Sequence, residues 1–188
     1  LTRLNARRTF VVDPIDGTRA FLEGNSTWCV SVAVVEDGRS LAGVLDCSAK
    51  GEVYWAVAGS GAFCNGDLIS VRQPGGQPAV AGPKVLVDQL PADLLARLQR
   101  VTYIPSLAYR LAMIAAGALD ASFVKPDSHD WDLAAAALIL AEAGGELRNT
   151  QGQVPSFARE TIKHGALAAG SGELLRTLTA VIAGADAP

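Results

Sequence analysis

The first third of the chain is punctuated into short apolar runs, and longer helix-like patterns take over beyond it. TFVV is a short strand that ends at Asp13, and WCVSVAVVED, LAGVLDCS and GEVYWAVA follow it, rich in Val, Trp and Tyr. The joints DGRS and AKGE carry glycine and polar turn residues, so this block predicts an antiparallel meander. GSGAFCNG reads as a glycine-bounded loop and LISVR as one more short strand. QPGGQPAVAGP, Gln73 to Pro83, is dominated by proline and glycine and reads as a linker. It divides the chain into a sub-domain over 1–72, a linker over 73–83 and a sub-domain over 84–188. Beyond it, KVLV reads as a strand, PADLLARLQR as a helix with Pro91 near its first turn, and VTYI as a strand. Ser106 caps a helix over LAYRLAMIAAG that Gly117 stops, and ALDASFV is a strand. DWDLAAAALILAEAGG reads as a buried alanine-rich helix, and GALAAG and ELLRTLTAVIAG as a closing strand and helix. The pattern predicts an α+β or layered α/β fold.

Composition narrows the function classes. Of 188 residues, 49% are apolar and 19% charged, with a mean hydropathy of +0.25, which fits a well-buried core and argues against disorder. A formal charge of -3 without any basic run gives no footprint for a nucleic-acid polymer. The longest apolar run, Leu133 to Ala141, is too short to span a bilayer, and no signal-peptide pattern opens the sequence, so a cytoplasmic protein is expected. Cys29, Cys47 and Cys64 form no CxxC pair, and His129 and His164 are the only histidines, which leaves little for a zinc site. The cysteines read as small buried hydrophobes in a reducing compartment. Trp28, Trp55 and Trp131 read as core residues, and Arg19 and Arg110 as surface or packing residues.

The chemistry concentrates in FVVDPIDGTRAF, where a buried strand runs into two carboxylates three residues apart. Buried carboxylates are costly unless paired, hydrogen-bonded or bound to a metal. Asp13, Asp16 and the Ile15 carbonyl between them are hard oxygen donors suited to magnesium, and Pro14 stiffens the turn. Gly17 admits close approach of a ligand, and residues 17–20 can open a helical turn whose free N–H groups face an anion. Such a set suits metal-assisted phosphoryl transfer to water; the same residues also make an ordinary turn. Asp132, at the start of an almost wholly apolar helix, reads either as an N-terminal cap or as a further ligand. An EF-hand is excluded, because Pro14 breaks the ligand alternation and Gly24 stands where its last glutamate belongs.

VVDPIDGTRAF and WDLAAAALILAEAGG resemble the two signatures of the inositol monophosphatase family, and GEVYWAVAGSGAFCNG is similar to the hairpin and loop between them. The resemblance covers nearly the whole chain. It implies a layered αβαβα fold and a magnesium-dependent phosphomonoesterase, usually dimeric, acting on a small phosphorylated metabolite. It assigns Asp13, Ile15 (through its carbonyl), Asp16 and Asp132 to the metal, and Gly17 and Thr18 to the phosphate. The Thr18 hydroxyl helps orient the attacking water, and Asp13 and Thr18 are the expected catalytic pair.

Family members carry a further glutamate ahead of the first aspartate, whereas none of the twelve residues before Asp13 is Glu or Asp. With Leu1 as the first residue, the expectation is an N-terminally truncated chain lacking the family's first helices. The alternative is a non-catalytic metal- or anion-binding fragment or pseudo-enzyme. Inositol-selective members place a glutamate seven residues before the WD aspartate, where this chain has Lys125. That shifts the expected substrate from an inositol monophosphate toward a 3'(2'),5'-nucleoside bisphosphate. Ser106, at the start of its helix, is a further candidate for contact with an anion.

Overall fold

Alternating burial along β1 (Arg8–Asp16) and β2 (Cys29–Glu36) marks a sheet covered on one face. The computed structural model describes residues 2–185. β1 and β2 continue through β3 (Arg39–Cys47), β4 (Glu52–Val57), β5 (Ala62–Cys64) and β6 (Asp67–Ile69) into a six-stranded antiparallel sheet in sequence order. The meander predicted from the turn residues is therefore present. GSGAFCNG is not simply a loop, because Ala62 to Cys64 pair with Tyr54 to Ala56 and Phe63 stacks on Trp55 at 4.3 Å.

Four further strands follow along the chain: β7 (Ala79–Ala81), a buried strand inside the stretch expected as a linker, β8 (Gln99–Arg100), β9 (Ala121–Val124) and, after the short β10 (Ser128–His129), β11 (Glu146–Asn149). β12 (Lys163–His164) pairs with β10, and β13 (Leu167–Gly170) completes a five-stranded sheet of order β11-β13-β9-β7-β8. β7 runs parallel to both its neighbours, and the other pairs are antiparallel.

Two local readings are corrected here. KVLV is not a strand but α2 (Lys84–Val87), started by Pro83 at φ -59° and turned so that Leu86 and Val87 are buried. A four-residue apolar run does not distinguish strand from helix, and the proline decides it. VTYI is not a strand either: only Gln99 and Arg100 join the sheet edge, which cuts the preceding helix to α3 (Ala92–Leu95).

α4 (Leu107–Ala115) and α5 (Asp130–Glu142) lie between the two sheets, and α6 (Gly172–Ala185) covers the far face of the second. The layers run β, α, β, α. Residues 133–140 of α5 are buried all round, as a helix sandwiched between sheets must be. Alanines make this possible. A Cβ built on Gly43 of β3 would lie 2.9 Å from the Ala135 Cα, so helix and sheet backbones meet almost without side chains between them. Ser31 and Ser40 fix the position by donating to the carbonyls of Trp131 and Ala134.

The tryptophans are not core residues. Trp28, Trp55 and Trp131 are each partly exposed. Val12, Val32, Val44, Trp55, Phe63 and Leu68 stand opposite one another across the outer face of the first sheet, giving it an apolar row from edge to edge. Cys29 and Cys47 are buried free thiols as expected, while Cys64 is only partly buried.

Candidate active site

Residues three apart on a regular strand point to opposite faces. Between Asp13 and Asp16, however, β1 advances three residues while β2 advances two, from Ser31 to Cys29. This one-residue bulge restores the two aspartates to one side. Pro14 fits it, since proline has no N–H for the ladder. The Asp13 Oδ1 accepts from the Ile15 N–H at 3.0 Å and locks the turn. Gly17 follows at φ +88°, and a Cβ there would sit 2.9 Å from the Ser106 Cβ and 3.0 Å from the Thr27 carbonyl, so only glycine fits. The short helix α1 (Thr18–Leu22) begins immediately after it.

Each aspartate of the candidate site is held by one oxygen. Asp16, buried, accepts through Oδ2 from the Ser106 hydroxyl and the Ala108 N–H, both at 2.6 Å. Asp132 lies in the first turn of α5 and accepts through Oδ2 from the His129 N–H at 2.7 Å. Its capping role is real and leaves the second oxygen available. For all three carboxylates that second oxygen has no hydrogen-bond donor among the described residues. One ligand atom from each of Asp13, Asp16 and Asp132 lies within 4.8 Å of the others, although 116 positions separate Asp16 from Asp132. Two residues before Asp132, buried Asp130 pins the start of α5 through the His164 Nε2 and the Ala158 N–H, each at 2.8 Å.

Proximity raises the cost of charge. Burial pushes the Asp16 carboxyl up to about 6 against the pull of Ser106 and Ala108, and the charges of Asp132 and Asp13 push the same way. Asp13 is raised by burial and by the Asp132 charge, and Asp132 is raised by burial. Three anions with free oxygens converging in a half-buried space form a donor set that a hard divalent cation fits.

The remaining expected residues distribute as follows. The Thr18 hydroxyl donates to the Ile15 carbonyl at 3.1 Å, so these two partner each other. Ser106 is fully buried, and its hydroxyl is engaged with Asp16 and the Tyr109 N–H; it supports the site from behind and does not open toward a ligand. Lys125 is exposed on the rim of a cavity of about 420 Å³ that Asp16 and Asp132 also line. Arg110, read from the sequence as a surface or packing residue, is buried, with only 8% of its surface exposed, and lines the same cavity.

Residues 2–185 match the model of the inositol monophosphatase family. The chain belongs to the inositol monophosphatase family. It is 33% identical over 150 residues to the fructose-1,6-bisphosphatase/inositol-1-monophosphatase of Thermotoga maritima, covering 78% of this chain and 58% of that protein. It is 30% identical over 160 residues to human inositol monophosphatase 1, covering 77% of this chain and 56% of that protein. The chain thus spans less than two thirds of the length of these relatives. Among solved structures, an inositol monophosphatase of Thermotoga maritima superposes with a TM-score of 0.81 at 27% identity, covering 95% of this chain and 70% of that one. A Pyrococcus horikoshii protein described as similar to inositol-1 monophosphatase also gives 0.81, at 28% identity, covering 95% and 71%. The layered fold expected from the resemblance is therefore that of the inositol monophosphatase family.

Proposed function

We propose that the protein is a magnesium-dependent phosphomonoester hydrolase acting on a small phosphorylated metabolite. The observation that carries this reading is the convergence of Asp13, Asp16 and Asp132, each anchored by one oxygen and open at the other. These carboxylates and the Ile15 carbonyl would hold the ion. When bound, magnesium neutralises phosphate charge and lowers the pKa of water. The family resemblance assigns the backbone N–H groups of Gly17 and Thr18, at the entry to α1, to the phosphate. The Thr18 hydroxyl, donating to Ile15, keeps its lone pairs for the proton of an attacking water.

The substrate is a 3'(2'),5'-nucleoside bisphosphate or an inositol monophosphate. Lys125 on the cavity rim favours the first, and a relative whose name includes fructose-1,6-bisphosphatase supports a second phosphate. Family resemblance alone supports a homodimer. No described helix is long and apolar enough to cross a membrane. A second reading, metal or anion binding without turnover, is favoured by one observation: no fourth acidic group joins the three among the described residues.

Phosphate release from a panel of phosphomonoesters, measured on the full-length polypeptide with magnesium and with chelator, tests the proposal. Hydrolysis requires magnesium, and Thr18→Ala lowers kcat about a hundredfold with KM little changed. Metal binding with no release from any ester would establish the second reading instead.

A further inference from the structure

Asp13 and Asp132 reach the candidate site from different layers, one from β1 and the other from α5, so the helix must be set against the sheet at that point. Ser31 of β2 touches both sides of this junction. Along the strand it is the register partner of Asp13, at the last regular pair before the bulge that leads to Asp16. Directly opposite residues of an antiparallel pair share a face, so the Asp13 carboxylate and the Ser31 hydroxyl leave the sheet on one side. Toward the helix, that hydroxyl donates to the Trp131 carbonyl at 3.1 Å. The carbonyl belongs to the planar peptide group whose N–H is that of Asp132, so the bond fixes the plane from which the Asp132 side chain departs. Packing alone does not call for a hydroxyl here. The inward positions of β2 are Cys29, Ser31, Ala33 and Val35, and Ala33 fills the next one with no polar atom. Nor does the carbonyl lack a donor, because Trp131 lies in the first turn of α5, where the helix supplies an N–H four residues on. Ser40 of β3 gives the comparison: it donates to the Ala134 carbonyl at 2.8 Å on the same helix, but it stands opposite Val35 and not opposite an aspartate.

We infer that Ser31 is a positioning residue for the cation site, holding the first turn of α5 where the free oxygen of Asp132 meets that of Asp13. The inference rests on the divalent-cation reading of the three aspartates above and adds the group that sets their spacing. Without the hydroxyl α5 still packs, since its alanines and the Ser40 bond remain. Its first turn, however, loses the contact that ties it to the strand position of Asp13. The carboxylates then converge less closely, and a cation that needs all of them at once binds more weakly.

The competing role for Ser31 is plain attachment of the helix, and Ser40 separates the two. Ser31→Ala and Ser40→Ala each delete one hydroxyl and one hydrogen bond from sheet to helix, so their Tm values should fall alike. Mn2+ binding, titrated by the free-ion EPR signal on the full-length polypeptide at pH 7.5, should tell them apart. Ser31→Ala should weaken it about tenfold, whereas Ser40→Ala should leave it within about twofold of the wild type. Ser31→Cys keeps the volume with a weak donor in place of a strong one and should fall between; it carries the test if the alanine variant does not fold. Wild-type affinity in either folded Ser31 variant, or equal losses in Ser31→Ala and Ser40→Ala, would overturn the inference alone. A wild type that binds no Mn2+ would overturn the cation reading and the inference together.

Discussion

Asp16 sits where β1 ends, and the hydrogen bonds from Ser106 and Ala108 do not cancel the cost of burying its charge, which leaves its carboxyl at about 6. Its ordinary value is 3.8. Because the folded value is the higher one, the folded protein holds this proton more tightly than the unfolded chain. Without a cation, the contribution of this group to stability is therefore greatest below the unfolded value and falls as pH rises through about 6. The loss is on the order of 3 kcal/mol. A divalent ion that binds the ionised form opposes that loss. Magnesium should accordingly raise Tm clearly at pH 7.5 and hardly at pH 5, and Asp16→Asn should flatten the difference. Thermal unfolding at the two pH values checks this, and equal shifts at both would contradict it. The aspartates were legible in the sequence because DPID and WD place carboxylates where an apolar run ends or begins. Arg110 was not, because a charged residue within a helix is ordinarily solvated and only packing reveals which helix face is sealed.

The bulge in β1 and the near-contact of α5 with β3 convert those residues into a site. One extra residue turns Asp13 and Asp16 to the same side, and the alanines of α5 let Asp132 approach them. Gly43→Val would drive a side chain into the Ala135 backbone. Such overpacking typically costs about 1–3 kcal/mol. It should lower the urea midpoint and weaken divalent-cation binding together, because displacing α5 displaces Asp132. Gly75→Ala, which meets nothing within 4 Å, is the control and should change neither. Loss of stability with unchanged cation affinity would separate helix placement from the site. At this scale the sequence predicted the long elements, whose periodicity is strong: the meander, α4, α5 and α6. It misjudged the short ones. KVLV and the residues after α3 have no period long enough to declare a state, and their conformations are set by Pro83 and by the sheet edge.

Across the whole molecule, the candidate site exists only where the layers meet. Asp13 and Asp16 come from the first sheet, Asp132 from the helix layer, and Lys125 from the chain leaving β9 of the second sheet. The layered arrangement was legible from the order of strands and helices together with the family resemblance. The distribution of burial was not: hydrophobicity placed the tryptophans in the core, whereas Trp55 belongs to the apolar row on the outer face of the first sheet. The central claim is that the three aspartates form one divalent-cation site, and equilibrium binding of Mn2+ as a magnesium surrogate tests it most directly. The free-ion EPR signal would be titrated at pH 7.5 on the full-length polypeptide and on Asp13→Asn, Asp16→Asn and Asp132→Asn. Saturable binding in the wild type, weakened about tenfold or more by each substitution, or by roughly 1.4 kcal/mol, is the predicted result. No binding at millimolar Mn2+, or an affinity that any of the three folded variants leaves unchanged, would contradict it.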